Sequence, residues 1–301
     1  MRPSHRIETF LQKPWEEKVL TTRFFFRKAL AKIPYAVVPV RMKMSSSNEI
    51  QFWWSYLVPH FDATRGFFDY CGHDLGDLRF LWRNLKPGAV FLDIGAHHGV
   101  YSVVAAKKLG INGVVVAFEP SVREYRRLRI HLRLNRLDSV RAEPLALGSA
   151  ACTQKFFQIT NGDNTRGGFR PPASEDRISE ISVETVRLDD YVSQFPLARV
   201  DFVKLDVEGG EREVLRGASS VLTKFRPIFI CEVLDATTQV WGYKAREIIQ
   251  MLESLDFAWF DIRSNGSIVP HKIREHYPEI RNYVAVPKEK MRDGLENDDR
   301  S

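Results

Sequence analysis

Short segments rich in β-branched residues alternate with helical patterns through most of this chain, and this alternation limits the fold more than any other feature. Continuous apolar segments indicate strands that are buried on both faces. Strands that alternate with helices form a mostly parallel sheet with helices on either side. The sequence therefore predicts an α/β fold with a mostly parallel, doubly covered sheet.

Seven segments have the pattern of strands in this sheet. They are residues 89–93, 114–118, 140–147, 200–206, 227–232, 258–262 and 282–286. Because no helical pattern separates the last two segments, we expect them to form an antiparallel pair at one edge. Residues 151–187 interrupt the alternation. Within them, two strand-like segments, 155–159 and 182–186, flank a polar loop, so we predict a pair of inserted strands with a loop between them.

Basic residues are concentrated at the N-terminus. Residues 1–44 hold ten Lys or Arg and three Glu, a net charge of +7, whereas the whole chain carries +6. Aromatic residues are interspersed among them and continue through residues 49–72. We therefore predict that residues 1–74 are a basic, aromatic extension, partly helical, that covers the substrate. Residues 75–287 then form the main domain, and residues 288–301 form a charged tail.

A basic and aromatic segment suits peripheral contact with an anionic membrane, so residues 1–44 are a candidate membrane contact. A solvated extension that packs on the core is the alternative. We expect no nucleic-acid partner, because no known binding motif accompanies the charge. The three cysteines lack metal-ligand spacing, and the N-terminus lacks an apolar segment of bilayer length, so we expect a cytoplasmic protein.

The first predicted strand ends in the sequence Asp93-Ile-Gly95-Ala-His97-His-Gly99, and Glu119 ends the next strand. A strand-end carboxylate such as Glu119 can accept hydrogen bonds from a ribose diol. Because His97 stands where a dinucleotide-binding turn has its middle glycine, a pyrophosphate fits poorly. Asp93 suits a cationic ligand, so the pattern favours S-adenosylmethionine.

A second motif, Val200-Asp-Phe-Val-Lys204-Leu-Asp206-Val-Glu208-Gly-Gly-Glu211, lies where the fourth strand meets its helix. Because side chains alternate along a strand, Lys204, Asp206 and Glu208 share one face at the ligand-binding edge. Both motifs together resemble the FkbM family of S-adenosylmethionine-dependent methyltransferases. The matching segments are residues 91–102, 115–121, 146–149, 187–192, 200–218 and 227–233, with Asn135.

The resemblance implies a class I methyltransferase fold, a Rossmann-like sheet of seven strands. It also implies that S-adenosylmethionine is bound by residues that follow the first three strands. These are Asp93, Gly95, Ala96, His97, Gly99, Glu119, Pro120, Ala146 and Leu147. The chain departs from the family pattern at two places. His97 stands where asparagine is common, and Glu232 is not followed by the usual histidine.

The implied reaction is O-methylation of a hydroxyl on a sugar, glycolipid or secondary metabolite. Such an in-line transfer needs a base beside the acceptor oxygen. The candidate bases are Asp206, Glu208 and Glu232, with His98 as a further candidate, and Lys204 can orient the acceptor oxygen or hold the acids. Asp206 and Glu208 could instead cap the following helix. We predict no metal, because the spacing of the acids does not suit one.

Two other functions remain open at the level of the sequence. One is an NAD(P)-dependent oxidoreductase on the same type of sheet. The other is a non-catalytic binding module that is recruited to a membrane. The intact strand-end residues argue against an inactive site.

Overall fold

The computed structural model describes residues 36–56, 75–160, 167–171 and 177–291. The strands are β1 (Ala36–Lys43), β2 (Glu49–Tyr56), β3 (Val90–Ile94), β4 (Val114–Phe118), β5 (Arg141–Glu143), β6 (Ala146–Leu147), β7 (Cys152–Ile159), β8 (Ile178–Val186), β9 (Phe202–Leu205), β10 (Ile228–Glu232), β11 (Phe257–Ile262), β12 (Ile268–Pro270) and β13 (Asn282–Pro287). The helices are α1 (Leu75–Asn84), α2 (Val100–Leu109), α3 (Val122–Leu134), α4 (Leu188–Gln194), α5 (Glu211–Arg216), α6 (Ser219–Lys224), α7 (Asp235–Thr238) and α8 (Arg246–Glu253).

The central sheet has the strand order β12-β11-β13-β10-β9-β3-β4-β5. Strand β3 pairs in parallel with β4 and β9, and these pair in parallel with β5 and β10. The order reverses at β3, which is where an open sheet of this kind binds its ligand. The predicted class I methyltransferase sheet, mostly parallel with an antiparallel pair, is confirmed.

The predicted antiparallel pair is formed by β11 and β13, and the structure adds the order of the strands and one more strand. Strand β13 lies between β10 and β11 and pairs antiparallel with both. All six of its residues are buried, as expected for an interior strand that is covered on both faces. The edge is formed by an eighth strand, the short β12, which pairs antiparallel with β11.

Helices cover both faces of the sheet. Apolar side chains of α1, α2 and α3 form one buried cluster with the hairpin of β1 and β2. Side chains of α4, α5, α6 and α8 form the other cluster. Strand β3 contributes to both clusters, because its successive side chains point to opposite faces and all five residues are buried.

The hairpin of β1 and β2 packs on helix α3. The Trp54 ring stacks on the His131 ring with centroids 3.6 Å apart. Asn135 closes the contact, because its side-chain amide accepts a hydrogen bond from the backbone N–H of Trp53 and donates one to the carbonyl oxygen of Trp53, both at 2.8 Å. This part of the predicted extension therefore belongs to the core.

Strands β6, β7 and β8 form a separate sheet in the order β6-β8-β7. Strands β7 and β8 pair antiparallel from Cys152 to Ile159. The predicted strand 140–147 is divided between two sheets, because β5 joins the central sheet and β6 joins this one. Pro144 lies at the division and lacks a backbone N–H for continuing a ladder. The predicted helix after Glu211 is likewise divided at Gly217 into α5 and α6.

Some of the predictions concern residues outside the described part. These are residues 1–35 of the basic segment, 57–74 of the aromatic cover, 161–166 and 172–176 of the inserted loop, and 292–301 of the tail. Among the described residues, every helix is too short or too polar to cross a membrane.

Candidate active site

A cavity of about 450 Å³ lies beyond the carboxyl ends of β3, β4 and β9. One wall is the turn between β3 and α2. The opposite wall is formed by β7, whose alternate residues from Cys152 to Gln158 border the cavity, and by Phe169, Arg170 and Trp241. The cavity therefore lies at the position where the strand order reverses, and the inserted sheet lines part of it.

The turn after β3 brings two strand ends close together. Gly95 has a φ of +81°, and a Cβ there would overlap the carbonyl oxygen of Asp206. The backbone N–H groups of Gly95 and Ala96 both donate to the carbonyl oxygen of Phe118, at 3.0 and 2.9 Å. The turn can approach β9 and β4 this closely only because residue 95 lacks a side chain.

Asp93 lies at the floor of the cavity and is 1% exposed. It accepts a hydrogen bond of 2.5 Å from the Ser102 hydroxyl. Burial raises the pKa of Asp93 to about 6, although Ser102 and Lys204 favour its charged form. Asp93 is thus a buried carboxyl group that a cationic ligand would stabilise as an anion.

Glu119 borders the cavity at the end of β4. Its two carboxylate oxygens accept hydrogen bonds of 2.8 Å from the backbone N–H groups of His97 and Ser121. Burial raises the pKa of Glu119 to about 7, and nearby Glu124 raises it further. The carboxylate is therefore fixed in orientation, and its remaining lone pairs can accept hydrogen bonds from a ligand.

His98 and Glu124 form a buried pair that also borders the cavity. The Nε2 atom of His98 lies 2.6 Å from Oε2 of Glu124, and Arg127 donates to the same oxygen at 2.8 Å. Burial favours the neutral form of Glu124, but the hydrogen bond and the charges of the histidines and of Arg127 hold its pKa well below the usual value. With His98 committed to Glu124, its role as a base is not supported by this geometry.

Lys204 and Asp206 lie at the end of β9 and both border the cavity. Nζ of Lys204 donates to Oδ2 of Asp206 at 2.8 Å and to Oδ1 of Asn282 at 3.0 Å. Burial alone would lower the pKa of Lys204, but Asp206, Glu232 and Asp77 raise it above its usual value. Lys204 is therefore a cation, although it is only 1% exposed.

Two further acids of the second motif, Glu208 and Glu211, point in different directions. Glu208 borders the cavity and has a φ of +54°. Glu211 is turned inward, where its Oε1 accepts hydrogen bonds from the backbone N–H groups of Val207 and Gly209. Burial raises the pKa of Glu211 to about 7. Helix α5 has no side-chain cap, so the capping role considered for Asp206 and Glu208 is not observed, and Glu211 instead fixes the loop that precedes the helix.

Glu232 ends β10 and is 8% exposed. Burial, together with the negative charges of Asp206, Glu208 and Glu211, raises its pKa well above the usual value. Glu232 is thus close to the second motif but is absent from the cavity wall formed by the described residues.

Two groups of three side chains bring possible metal ligands within 4.8 Å of one another. They are His97, His98 and Glu124, and Asp206, Glu211 and Glu232. In the first group the charge of Glu124 is already balanced by Arg127, and in the second Lys204 pairs with Asp206. Each group therefore has a positive partner within the protein.

The structure brings most of the predicted site residues to one cavity. Those that border it are Asp93, Gly95, Ala96, His97, Glu119, Pro120, Ala146, Leu147, Lys204, Asp206 and Glu208. Two predicted site residues, Gly99 and Glu232, are not among the described residues that border the cavity. Gly99 instead packs against helix α3, where a Cβ would overlap Leu128, so its role is to let α2 begin close to that helix.

Several residues of the site were not found from the sequence. Asp77, Tyr101 and Asn282 surround Lys204, and Trp241 forms part of the wall. A lone asparagine at the start of an otherwise apolar strand is a signal that could have identified Asn282. Nothing in the helical pattern of α1 distinguishes Asp77 from a solvent-exposed acid.

Comparison with known proteins identifies relatives of this chain. The family described as "Methyltransferase FkbM domain" matches residues 93–258. The 2-O-methyltransferase NoeI of Sinorhizobium fredii is 31% identical over 186 residues, which are 57% of this chain and 74% of that protein. The 31-O-demethyl-FK506 methyltransferase FkbM of Streptomyces tacrolimicus is 26% identical over 183 residues, which are 47% of this chain and 69% of that protein.

Among solved structures, the O-methyltransferase from Bacillus cereus in complex with SAH is 16% identical, with a TM-score of 0.41 and coverage of 90% of this chain and 91% of that one. The family match spans more than half of the chain and includes both motifs of the cavity. The predicted resemblance and the predicted methyltransferase activity are therefore confirmed, and this chain belongs to the FkbM methyltransferase family.

Proposed function

We propose that this chain transfers a methyl group from S-adenosylmethionine to a hydroxyl oxygen of a small molecule or glycan. The observation that carries the proposal is the shared cavity, which is bordered both by Glu119 and by the Lys204–Asp206 pair. A donor held at Glu119 and an acceptor held at Asp206 would thus meet in one cavity. Such an arrangement supplies the proximity that a transfer reaction requires.

The described residues fit S-adenosylmethionine chemically. Glu119 is fixed by two backbone N–H groups and can accept hydrogen bonds from the ribose diol, and Asp93 suits the positive ammonium group. Pro120, Ala146 and Leu147 supply an apolar wall for the adenine ring. When bound, S-adenosylmethionine supplies an electrophilic methyl group on a sulfonium centre.

Among the candidate bases, Asp206 is best placed to accept the proton of the acceptor hydroxyl. Its side chain borders the cavity, is 33% exposed, and is oriented by the ion pair with Lys204. Glu208 also borders the cavity and is the second candidate. In the described part of the chain, Glu232 does not border the cavity, and burial with the neighbouring acids raises its pKa and so favours its neutral form, which makes it the weakest candidate.

The class of acceptor is supported by two observations. The names of both relatives describe transfer to oxygen, at a 2-O position in one and a 31-O position in the other. In this chain, the wall beside Glu208 carries Phe169 and Trp241, with Arg170 over the Trp241 ring at 4.9 Å. Aromatic and guanidinium groups of this kind suit a hydroxylated ring such as a sugar or secondary metabolite.

The direct test is calorimetric titration with S-adenosylmethionine and S-adenosylhomocysteine, with NADH as the control ligand. We expect micromolar affinity for the first two, about −8 kcal/mol, and none for NADH. Binding of NADH alone would support the oxidoreductase alternative and contradict the proposal. Transfer of labelled methyl groups to a panel of glycosides and hydroxylated metabolites would then identify the acceptor.

We also propose a cytoplasmic location with peripheral contact between residues 1–44 and an anionic membrane. The support is the net charge of +7 in that segment. Co-sedimentation with phosphatidylserine vesicles tests this contact, using a variant in which the eight Lys and Arg residues of 1–32 are replaced by Gln. Equal sedimentation of the variant and the parent protein would contradict it.

A further inference from the structure

A buried chain of hydrogen bonds reaches Lys204 from outside the two motifs. Oδ2 of Asp77, on helix α1, accepts a hydrogen bond of 2.7 Å from Nδ2 of Asn282, on strand β13. Oδ1 of Asn282 accepts one of 3.0 Å from Nζ of Lys204, and the same Nζ donates to Asp206 at 2.8 Å. Asp77 is 5% exposed, Asn282 9% and Lys204 1%.

The chemistry of this chain fixes the orientation of the Asn282 amide. A carboxylate can only accept hydrogen bonds, and an ammonium group can only donate them. The amide therefore satisfies both neighbours in one orientation, with its NH₂ group toward Asp77 and its oxygen toward Lys204. If the amide rotated by half a turn, its NH₂ group would face the Lys204 ammonium and its oxygen would face the Asp77 carboxylate.

Asp77 also accepts a hydrogen bond from a second residue that contacts Lys204. The Tyr101 hydroxyl donates to Oδ2 of Asp77 at 3.3 Å, and Nζ of Lys204 lies over the Tyr101 ring, 5.2 Å from its centroid. Asp77 thus anchors both Asn282 and Tyr101, each of which contacts the Lys204 ammonium. The family match begins at residue 93 and ends at residue 258, so both Asp77 and Asn282 lie outside it.

An ammonium group has three N–H donors, and Asp206 and Asn282 take two of those on Lys204. Within the described residues, the third has no oxygen or nitrogen acceptor. Lys204 and Asp206 both border the cavity, so a hydroxyl oxygen placed beside Asp206 is within the same small space. A hydrogen bond from a cation to that oxygen would make its proton easier for Asp206 to remove.

We propose that Asp77 and Asn282 are positioning residues that orient the Lys204 ammonium so that its third N–H donates to the acceptor oxygen. The proposal rests on the proposed function, in which Asp206 takes the proton of the same hydroxyl. Asp77 acts through Asn282 and Tyr101, and neither Asp77 nor Asn282 is among the residues that border the cavity.

An exchange of the two side chains tests the proposal. In Asp77→Asn the shape is kept but the charge next to Asn282 is lost. In Asn282→Asp two carboxylates face each other and must share a proton. In the double variant, the amide at position 77 can donate to the carboxylate at position 282, and that carboxylate can accept from Lys204, so the chain is rebuilt with the same total charge. Asp190→Asn, an exposed acid in the first turn of α4, is the matched control.

The first measurement needs no acceptor. The ¹⁵N-labelled ammonium resonance of Lys204, assigned with Lys204→Arg, reports the orientation of the group directly by NMR. We expect it to shift or broaden in each single variant and to return in the double variant, with the control unchanged. A resonance that is the same in all variants would overturn the proposal, whatever the outcome of the cofactor titration.

The second measurement uses the acceptor found in the methylation screen, at saturating S-adenosylmethionine. We expect kcat to fall about 10-fold in each single variant, with affinity for S-adenosylhomocysteine unchanged, and to recover to within about threefold in the double variant. A loss in the double variant equal to the product of both single losses would overturn the proposal. Failure of the parent protein to bind S-adenosylmethionine would instead refute the proposed function, and the NMR result would still stand.

Discussion

Gly95→Ala tests the contact that joins the cofactor side of the cavity to the catalytic side. Gly95 has a φ of +81°, where a side chain costs about 1 kcal/mol. Its Cβ would also overlap the carbonyl oxygen of Asp206, lie 2.9 Å from the carbonyl carbon, and lie 3.3 Å from Cγ1 of Val207. The turn and the end of β9 must therefore separate, by about 1 Å, at an overpacking cost of about 1–3 kcal/mol.

The matched control is Gly88→Ala, at the opposite end of the same strand. Gly88 has a φ of +77°, so it has nearly the same backbone cost, but the nearest atom to its Cβ is the carbonyl oxygen of Asn112 at 3.9 Å. We expect the control to lose about 1 kcal/mol of stability and Gly95→Ala to lose about 2–4 kcal/mol. The difference between the two variants isolates the contact with Asp206.

Thermal unfolding and titration with S-adenosylhomocysteine measure the two effects. Separation of the turn from β4 weakens the hydrogen bonds from Gly95 and Ala96 to Phe118, which shape the cofactor side. We expect affinity to fall by about 10-fold or more in Gly95→Ala and to remain within about twofold in Gly88→Ala. Equal affinity and equal melting temperature in the two variants would refute the claim that this close approach defines the site.

Three further predictions follow from single side chains. Glu119→Ala should reduce the affinity for S-adenosylhomocysteine about 100-fold in calorimetric titration, because hydrogen bonds to a charged group are lost. Glu143→Ala, at the end of the neighbouring strand, is the control and should leave this affinity unchanged. Glu211 has its pKa raised from 4.5 to about 7, so the native state binds its proton more tightly and stability falls as the pH rises through this range. In urea unfolding at pH 8, Glu211→Gln should thus be more stable than the parent protein by up to about 3 kcal/mol. If the same gain in stability persisted at pH 4.5, the raised pKa of Glu211 would not be its cause. Trp54→Ala should lose about 3–5 kcal/mol, because a fully buried ring stacked on His131 is removed, and a loss below about 1 kcal/mol would mean that the hairpin adds little to the core.

Residues that follow a strand directly were the most predictable part of the site. Gly95, Glu119 and Asp206 were placed correctly at the cavity, because the carboxyl ends of parallel strands meet at one edge of the sheet. Glu232 also ends a strand, but it is set back from the cavity. A strand end fixes the edge at which a side chain lies, but not the depth at which it is buried.

Residues that reach the site from other elements were not predictable. Asn282 reaches Lys204 because β13 inserts between β10 and β11, whereas the sequence predicted an antiparallel pair without the order of its two strands. Asp77 contacts Asn282 across 205 positions of the chain. Such contacts depend on strand order and register, which periodicity does not encode.

The sequence by itself determined the alternation of strands and helices, the two motifs and the position of Lys204 and Asp206 at the same edge of the sheet. These are local properties, because periodicity and strand-end position are set within a few residues. The tertiary structure alone decided that Glu124 is held by His98 and Arg127, that Glu211 is turned inward to the loop after β9, and which polar groups surround Lys204. Those arrangements arise when distant segments pack together, because each buried polar group must then find its partner in whichever element lies beside it.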